Sequence, residues 1–469
     1  MIAPPSEDTL NRLAAAVGEK NAIRIAGEMD GYMREWRGLW HGKSPMVLRP
    51  RSTQEVSQIL AIAHETRTVI VPQSGNTGLA GGQIPDETGT EILLSLDRMT
   101  RIVEVDATDN TMTVEAGATL RSVQEAANAV ERLFPLSLAS EGSARIGGNL
   151  STNAGGLNVI AYGNARDLCL GLEVVLADGR IWNGLRRLRK DNTGYDLKNM
   201  FIGAEGTLGV ITAAVLKLYP KPKRYETAFI AVPSPQAAVD LLSLARELSG
   251  NRVTAFELMP LVALGFTVKH MGVRNPLREP SPWYVLAELS DPAPDTFEQI
   301  LEEAMARSLV TDATVAQSGA QRAELWAIRE LMSESQKFEG GSIKHDVSVP
   351  VSKVPQFLDE AATAMQRFMP GARIFSFGHL GDGNIHYNIS QPLGMDTGAF
   401  LNTWEEMSEV VFAIVLRLGG SVSAEHGIGR LKRHHMARIK SPVELQMMKD
   451  LKQMLDPYGI LNPGKVLPD

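Results

Sequence analysis

Apolar and polar residues alternate in short segments through the N-terminal half of the chain, and the first of these segments predict a strand–helix–strand unit. The stretch SPMVLRP, residues 44–50, predicts a strand. Ser52 then precedes an apolar pattern of helical period, and Glu55 follows three residues later, which predicts a capping box at the start of a helix. The next apolar run, TVIVPQ, predicts the second strand.

Further short strands follow in the same region. The runs EILLSL, IVEVD and TMTVEAG each predict a strand and are separated by turn residues. The segment LGLEVVLADGRIWNG places Asp178 and Gly179 between two apolar runs, which predicts a β-hairpin with this dipeptide at its tip.

The composition changes near residue 222, where the segment LYPKPKRYETAFI contains two prolines and three basic residues. Strand–helix–strand patterns then recur three times, beginning at ETAFIAV, WYVLAEL and IKHDVSVP, and predict a sheet with helices packed on one face. Glycine-rich loops return from about Gly420. We therefore expect three parts, residues 1–222, 223–419 and 420–469.

Composition narrows the class of protein. The 469 residues carry a formal net charge of −7, which gives no reason to expect a nucleic-acid partner. No apolar run is long enough to predict a transmembrane helix, and the N-terminal residues do not predict a secretory signal. A single cysteine, Cys169, excludes an intrachain disulfide and a cysteine-rich metal site, and we expect a reducing, cytoplasmic setting.

Three glycine-dense loops occur in the first part of the chain: PQSGNTGLAGG at 72–82, SEGSARIGGNLSTNAGG at 140–156 and FIGAEGTLGVIT at 201–212. Glycine allows backbone N–H groups to turn inward together and bind phosphate oxygens. None of the loops matches the P-loop or the dinucleotide fingerprint. One such loop alone is more often a structural turn, but three in one domain favour an extended cofactor that carries a diphosphate.

The stretch FGHLGDGNIHYN, residues 377–388, predicts a pair of metal-binding histidines. If Asp382 and Gly383 form a two-residue turn, His379 lies opposite His386 with Cβ atoms roughly 4.5–5.5 Å apart. Because side chains alternate along a strand, Asn388 shares their face. An open metal site commonly adds a carboxylate, and SAEHGIGR offers Glu425, although sequence alone does not place it near the hairpin.

The blocks PQSGNTGLAGG, GGNLSTNAGG, KDNTGYDLKNMFIGAEGTLGVIT and ILNPGK resemble the FAD-binding fold of the vanillyl-alcohol oxidase superfamily, in the family's order and over almost the whole chain. The branch that they resemble contains the FAD-dependent D-2-hydroxyacid dehydrogenases. The resemblance implies an α+β fold. It comprises a two-subdomain FAD-binding unit, a cap domain with an antiparallel sheet, and a C-terminal segment that returns to the flavin.

The resemblance also implies which residues bind FAD. The pyrophosphate contacts and the remaining FAD contacts would come from Pro72, Ser74, Gly75, Asn76, Thr77, Gly78, Gly142, Ser143, Gly148, Asn149, Thr152, Asn153, Gly155, Gly156, Glu205, Gly209, Ile211 and Asn462. Many superfamily members tether the flavin through a histidine or cysteine in the pyrophosphate loops. Neither residue type occurs there in this chain, so we expect dissociable, non-covalent FAD.

By the same resemblance, GHLGDGNIH and SAEHG form a metal motif in which His379, His386 and Glu425 are ligands and His426 is the general base. Zn²⁺ suits such ligands, and Mn²⁺ or Fe²⁺ also fits. A cation stabilises the alkoxide that forms when a 2-hydroxy acid is oxidised, and a neutral imidazole takes the hydroxyl proton.

A 2-hydroxy acid is an anion, so we expect cationic side chains to bind its carboxylate. Arg329 and Ser333 lie four residues apart on a predicted helix, and Lys344 lies in a predicted strand. On the residues alone, an ion pair for Arg329 and a solvated strand edge for Lys344 are at least as plausible. IKHDVSVP resembles the D-2-hydroxyglutarate branch, which implies that Arg329, Ser333 and Lys344 bind the distal carboxylate and Asn388 contacts the reacting end.

Alternatives remain at this level. Position 333 is often threonine in that branch, so D-malate, one methylene shorter, could be the substrate. D-lactate is the other alternative within the family. The electron acceptor could be an electron-transfer flavoprotein, a quinone or oxygen, and a homodimer is expected only by analogy. The basic segments GLRRLRKDN and GRLKRHHMARIK are more often solvated faces than docking patches. A metal-dependent hydrolase would leave the three loops without a function, and a non-catalytic flavin-carrying subunit would leave the metal motif without one.

Overall fold

The chain forms two compact units. The computed structural model describes residues 4–468. The first unit contains the residues up to Gly155, Asn164–Lys221 and the residues from Glu425 on, and the second contains Gly156–Gly163 and Pro222–Ala424. The chain therefore changes unit at Pro222, close to the composition change in the sequence, and again after Ala424.

The α-helices are distributed over both units. Their bounds are α1 Glu7–Val17, α2 Ala26–Met33, α3 Thr53–Thr66, α4 Leu120–Asn128, α5 Ile146–Ser151, α6 Val159–Tyr162, α7 Lys198–Phe201, α8 Pro235–Leu248, α9 Leu261–Met271, α10 Thr296–Ala306, α11 Gly319–Glu330, α12 Met332–Ser335, α13 Val354–Phe368, α14 Thr397–Leu401, α15 Trp404–Arg417, α16 Met436–Ile439 and α17 Pro442–Leu455.

The strands build separate sheets in the two units. Their bounds are β1 Ala22–Ile23, β2 Val47–Leu48, β3 Ile70–Gln73, β4 Ile92–Ser95, β5 Ile102–Asp106, β6 Thr111–Glu115, β7 Arg132–Leu133, β8 Cys169–Val175, β9 Ile181–Gly184, β10 Val210–Lys217, β11 Tyr219–Pro220, β12 Tyr225–Val232, β13 Val253–Pro260, β14 Trp283–Ser290, β15 Asp312–Val315, β16 Ser342–Ser348, β17 Arg373–His379 and β18 Asn384–Ser390.

In the first unit, a four-stranded sheet has the order β1-β2-β4-β3, with parallel pairing of β4 to both β2 and β3. Helix α3 connects β2 to β3, which confirms the predicted strand–helix–strand unit. Ser52 caps this helix, because its Oγ accepts a hydrogen bond from the Glu55 N–H at 3.2 Å. The Glu55 carboxylate accepts from the Arg51 N–H instead of completing the reciprocal half of the capping box.

A five-stranded antiparallel sheet in the first unit has the order β5-β6-β10-β8-β9. The predicted β8–β9 hairpin is confirmed, and Gly179 at its tip has φ +86°, a conformation that favours glycine. Cys169 is buried in β8, and burial raises the pKa of its thiol to about 12. It is therefore an unreactive core residue.

The second unit is built on a seven-stranded antiparallel sheet with the order β15-β12-β14-β13-β17-β18-β16. The three predicted strand–helix–strand patterns are present as β12–α8–β13, β14–α10–β15 and β16–α13–β17. The expectation of helices on only one face was wrong. Phe229, Phe375 and Phe377 pack with Leu264 of α9 and Trp326 of α11 in one core cluster.

Helices on the other face include α13 and α15, whose Phe357 and Phe412 contact Tyr387 and His345 of the sheet. Because both faces are covered, the central strands are buried on both sides, and β13 is buried along its whole length. No helix within residues 4–468 combines the length and the apolar character that crossing a membrane requires.

Candidate active site

The hairpin β17–β18 brings His379 and His386 together, although not in the predicted register. His379 lies opposite Asn384, and Phe377 lies opposite His386. The turn spans residues 380–383, and the carbonyl oxygen of His379 accepts the N–H groups of Asp382 and Gly383 at 3.2 and 3.1 Å. The predicted two-residue turn was therefore wrong.

The error in register is two residues, and side chains alternate with a period of two, so each histidine keeps its face of the sheet. The imidazole rings meet diagonally, with centroids 5.3 Å apart and planes at 80°. The structure thus retains the pair of imidazoles that the sequence predicted, with a different strand partner for each.

The same face of this sheet carries other residues predicted to act on the substrate. In the β16–β18 pairing, Lys344 lies opposite Asn388 and Asp346 lies opposite His386. Residues directly opposed in an antiparallel pair share a face, so these four side chains lie on the face of His379. Asn388 is buried and donates from Nδ2 to Gln336 Oε1 at 3.0 Å.

A carboxylate that the sequence analysis missed, Glu257 of β13, lies opposite His379 of β17. Its Oε1 lies 2.7 Å from His379 Nδ1, and its Oε2 accepts a hydrogen bond from Arg329 Nε at 2.7 Å. Burial alone would raise the pKa of Glu257, but the charges of His379 and Arg329 and their hydrogen bonds outweigh it and lower the pKa to about 2.

The protonation of Glu257 decides the tautomer of His379. An ionised carboxylate only accepts hydrogen bonds, so we assign the imidazole proton to Nδ1 of His379. In that tautomer Nε2 is the nitrogen that carries the lone pair, which is the form of imidazole that binds a cation. A second carboxylate, that of Asp346, lies 3.9 Å from Nδ1 of His386. Each imidazole therefore directs its Nδ1 toward an acid, the arrangement typical of histidines that bind metals.

Arg329 is buried, and its guanidinium lies over the Phe377 ring at 4.6 Å from the centroid. Phe377 in turn contacts His386, with ring centroids 5.2 Å apart. The single helix predicted to carry Arg329 and Ser333 was wrong, because α11 ends at Glu330, Leu331 interrupts it, and the short α12 follows. Ser333 is exposed, whereas Arg329 faces the sheet.

Asn384 supplies a test of whether this face fits a cation. Its Nδ2 donates to Asp346 Oδ1 and to the Val347 carbonyl, both at 2.9 Å. Its Oδ1 is buried and has no hydrogen-bond partner among the described residues. A buried acceptor without a partner, opposite His379 and among imidazoles and carboxylates, fits a divalent cation or its water.

The glycine-rich loops of the first unit fit a polar cofactor on similar grounds. A Cβ on Gly75 would lie 2.2 Å from the Ser143 carbonyl oxygen, so the first two loops approach more closely than any other residue would allow. Ser74 Oγ, Asn149 Nδ2 and Asn462 Oδ1 are buried without hydrogen-bond partners among residues 4–468. All three belong to the predicted FAD site, where a cofactor would supply the missing partners.

The C-terminal segment joins these loops within the first unit. Asn462 donates from Nδ2 to the carbonyl oxygens of Gly82 and Glu205 at 2.9 and 2.8 Å. The Glu205 carboxylate accepts the N–H groups of Ile428 and Gly429 at 2.7 and 2.9 Å. Desolvation raises the pKa of Glu205 to about 7, against the opposing effect of these two amides and of Lys432.

The other predicted FAD residues lie in the following places. Pro72 is in β3, and Asn76, Thr77 and Gly78 follow it. Gly142 precedes α5, which contains Gly148. Thr152 caps the end of that helix, and Asn153, Gly155 and Gly156 follow, the last of them in the second unit. Gly209 precedes β10, which contains Ile211.

Glu425 and His426 follow directly after the second unit. Ala424, the last residue of that unit, donates its N–H to the Asp346 carbonyl oxygen at 3.3 Å, and Asp346 lies opposite His386. The first two residues of the sequence motif SAEHG, Ser423 and Ala424, thus belong to the second unit, and Ala424 lies beside β16, which pairs with β18.

The chain is similar in sequence to proteins of known family over most of its length. The FAD binding domain model matches residues 44–184, and the model for the C-terminal domain of FAD linked oxidases matches residues 221–466. A D-2-hydroxyglutarate dehydrogenase, mitochondrial, from Danio rerio is 39% identical over 441 residues, covering 93% of this chain and 80% of the relative. The chain belongs to the FAD-linked oxidase family.

Two further relatives and a solved structure are similar to the chain over almost its whole length. D-2-hydroxyglutarate dehydrogenase from Xanthomonas citri is 34% identical over 451 residues, covering 95% of this chain and 94% of the relative. A putative D-lactate dehydrogenase from Schizosaccharomyces pombe is also 34% identical, over 93% of this chain and 84% of the relative. The solved 4-ethylphenol oxidase from Gulosibacter chungangensis is 17% identical, with a TM-score of 0.77 over 100% of this chain and 99% of that one.

These findings confirm the resemblance inferred from the glycine-rich blocks and the α+β fold of the vanillyl-alcohol oxidase type. As a member of this family, the protein is an FAD-dependent oxidoreductase. Glu257 and Asn384 were not predicted. The only signal for Glu257 in the sequence is a single carboxylate in the apolar strand VTAFELM.

Proposed function

We propose that the protein is an FAD- and metal-dependent dehydrogenase that oxidises D-2-hydroxyglutarate to 2-oxoglutarate and passes the electrons to an external acceptor. The observation that carries this proposal is the shared face of β16, β17 and β18. That face presents an imidazole pair together with Lys344 and Asn388. The names of the relatives from Danio rerio and Xanthomonas citri support the same substrate.

Lys344, Arg329 and Ser333 are our candidates to bind the distal carboxylate, and Asn388 to contact the end that reacts. Lys344 of β16 lies opposite Asn388 of β18, so the two side chains are neighbours on one face of the sheet and could contact the two ends of one substrate. Beyond the hydrogen bond from Nε to Glu257, we find no hydrogen bond of the Arg329 guanidinium within the described residues. Its remaining N–H groups suit a carboxylate.

His379, His386 and Glu425 are our candidate metal ligands, and His426 our candidate base. The proposal is supported by the Nδ1-protonated tautomer of His379 and by the position of Ala424 beside Asp346. A divalent cation, Zn²⁺ or otherwise Mn²⁺ or Fe²⁺, would act here as a Lewis acid toward the substrate hydroxyl. His426 would take the hydroxyl proton, which a neutral imidazole does effectively near pH 7.

FAD would be held by the three glycine-rich loops and Asn462, and when bound it supplies the hydride acceptor, N5. We propose non-covalent binding, because neither pyrophosphate loop contains a histidine or cysteine. The buried atoms Ser74 Oγ, Asn149 Nδ2 and Asn462 Oδ1, which have no hydrogen-bond partner among the described residues, would be polar partners for the cofactor. The chain's own contribution is to place the carbon that loses hydride and to exclude water from it.

The acceptor would be a separate redox partner, for which an electron-transfer flavoprotein or a quinone suits a dehydrogenase. We further propose a homodimer and a cytoplasmic location, both by analogy and composition. The relative from Danio rerio is named mitochondrial, whereas the name of the Xanthomonas citri relative gives no compartment. The putative D-lactate dehydrogenase from Schizosaccharomyces pombe supports the alternative substrate, D-lactate.

Turnover of a substrate panel tests the proposed substrate. The purified protein is assayed with D-2-hydroxyglutarate, D-malate and D-lactate and a dye as acceptor. We expect the highest kcat/KM for D-2-hydroxyglutarate, with D-malate lower by at least the ~1–3 kcal/mol that one methylene contributes. A higher kcat/KM for D-lactate would refute the roles of Lys344 and Arg329.

A further inference from the structure

We propose that Glu257 is a positioning residue that orients His379 for the metal and Arg329 for the substrate at the same time. The inference rests on the proposed function and adds to it a residue to which no role has been assigned. Glu257 is fully buried, and its two carboxylate oxygens divide between the two partners, Oε1 to His379 Nδ1 and Oε2 to Arg329 Nε, each at 2.7 Å.

The backbone already places Glu257 for this role. Glu257 and His379 are directly opposed where β13 pairs with β17, and that pairing extends over only two residue pairs. The carboxylate therefore meets the imidazole through the sheet itself and needs no mobile loop. A hydrogen bond to a carboxylate fixes both the ring orientation and the tautomer of a metal-binding histidine and raises its basicity.

The second half of the arrangement involves Arg329. With Nε bonded to Glu257 and its carbon over the Phe377 ring, the guanidinium is fixed in two directions. Phe377 also contacts His386, which in turn contacts His379. The arginine and both imidazoles therefore belong to one continuous group of packed side chains. Removing the carboxylate should consequently weaken metal binding and substrate binding together.

The Glu257→Gln variant replaces one of the two hydrogen-bond acceptors of the carboxylate with a donor. An amide has one acceptor oxygen and one NH₂ group, so one of the two N–H donors that face Glu257 would meet another donor. If the NH₂ group faces His379, the ring loses its Nδ1-protonated tautomer. If it faces Arg329, the guanidinium loses its buried partner. We expect metal affinity to fall about 10–100-fold, as for other residues that orient metal ligands.

A matched control exists in the neighbouring strand. Glu288 of β14 lies opposite Ala255, so it shares the sheet face of Glu257. Its carboxylate accepts Arg322 Nε and Nη2 at 2.6 and 2.8 Å and Trp326 Nε1 at 2.9 Å. Arg322 belongs to α11, the helix of Arg329. Glu288→Gln therefore disturbs a buried glutamate and its arginine partner, in the same sheet and helix as Glu257 and Arg329, without a histidine.

The experiment uses the FAD-loaded protein, freed of metal by a chelator and titrated with Co²⁺, whose d–d absorption reports binding directly. We expect wild type and Glu288→Gln to bind Co²⁺ within about twofold of each other, and Glu257→Gln to bind 10–100-fold more weakly. The KM for D-2-hydroxyglutarate should rise in Glu257→Gln alone. Wild-type Co²⁺ affinity in Glu257→Gln, or equal losses in both variants, would overturn the proposal.

Two further outcomes keep the test decisive. If Glu257→Gln does not fold, Glu257→Asp retains both acceptors on a side chain one methylene shorter, and its Co²⁺ affinity should lie measurably below that of the wild type. An unchanged affinity in that folded variant would count against the proposal. Because the wild type is titrated in parallel and its flavin is challenged with D-2-hydroxyglutarate, failure of the proposed function would appear in the wild type itself.

Discussion

Glu257 lies directly opposite His379 in the β13–β17 pairing, and the distance from its Oε1 to Nδ1 of the imidazole is 2.7 Å. The same carboxylate binds Arg329. One buried acid thus connects a residue that the sequence assigned to a metal with one that it assigned to a substrate carboxylate. The second unit accordingly has a preformed, buried polar centre within its sheet.

Replacing Lys344 by methionine should impair dicarboxylate binding selectively. Methionine keeps the length and apolar stem of the side chain and removes the charge. A hydrogen bond to a charged group contributes about 1.5–3 kcal/mol, so we expect the KM for D-2-hydroxyglutarate to rise roughly 10–100-fold. The KM for D-lactate, which lacks the distal carboxylate, should change less than about threefold, since the loss is specific to that group.

The matched control for this variant is Lys337→Met. Lys337 forms an ion pair with Glu334, and both side chains are about half exposed. Its replacement should leave both KM values unchanged, because exposed pairs of this kind contribute little. Equal effects of Lys344→Met on D-2-hydroxyglutarate and D-lactate would contradict the assigned role.

Gly75 should tolerate no side chain. The Cβ of Gly75→Ala would lie 2.2 Å from the Ser143 carbonyl oxygen, which forces the first two glycine-rich loops apart. We expect FAD affinity, measured by the recovery of flavin fluorescence on release, to fall by at least about tenfold. In Gly27→Ala the new Cβ meets nothing within 4 Å in helix α2, so this control should bind FAD normally.

Asn462 should contribute to FAD binding through both its side chain and its backbone. Its φ of 44° lies in the left-handed region, which asparagine and glycine tolerate better than alanine. Asn462→Gly removes only the hydrogen bonds to Gly82 and Glu205, whereas Asn462→Ala adds backbone strain.

We therefore expect flavin affinity to decrease in the order wild type, Asn462→Gly, Asn462→Ala, with the two variants separated by about 1 kcal/mol. Asn251 also has a left-handed backbone, with φ 63°, but it is exposed and is not one of the predicted FAD residues. Asn251→Ala therefore introduces the same backbone strain and should leave flavin affinity unchanged. A normal flavin affinity in Asn462→Gly would show that the side chain makes no contribution.

Stability of the flavin-free protein should depend on pH through Glu205. Its pKa is about 7 in the folded protein, above the ordinary value of 4.5. The folded state therefore binds more protons between these values, and stability present below pH 4.5 is lost as the pH rises through 7. Because the residue is partly exposed, we discount the effect to about 1–2 kcal/mol.

Urea unfolding at pH 5 and pH 8 measures this dependence. The change in free energy of unfolding between the two pH values should be smaller in Glu205→Gln than in the wild type, since glutamine does not titrate. Identical pH dependence in both proteins would mean that Glu205 is solvated in the folded state and has an ordinary pKa.

Local patterns predicted much of the fold and part of the site. The Ser52 cap and the Asp178–Gly179 hairpin follow from neighbouring residues, and the structure contains both. The face shared by His379 and His386 survived an error of two residues in register, because a strand's side chains repeat every two residues.

Local patterns could not predict contacts between residues that are distant in sequence. Glu257 is separated from Arg329 by 72 residues and from His379 by 122. The order of strands in a sheet decides such contacts, and β13 and β17 are not consecutive. The interruption at Leu331 was also missed, because no glycine or proline marks it.

Anaerobic reduction of the bound flavin tests directly whether the oxidation of D-2-hydroxyglutarate depends on both FAD and a metal. The FAD-loaded protein is mixed with D-2-hydroxyglutarate without an acceptor, and the flavin absorbance is followed before chelation, after chelation and after Zn²⁺ is restored. We expect rapid bleaching, its loss on chelation, and its recovery with Zn²⁺. Bleaching that is unaffected by chelation, or no bleaching by D-2-hydroxyglutarate in the metal-loaded protein, would contradict it.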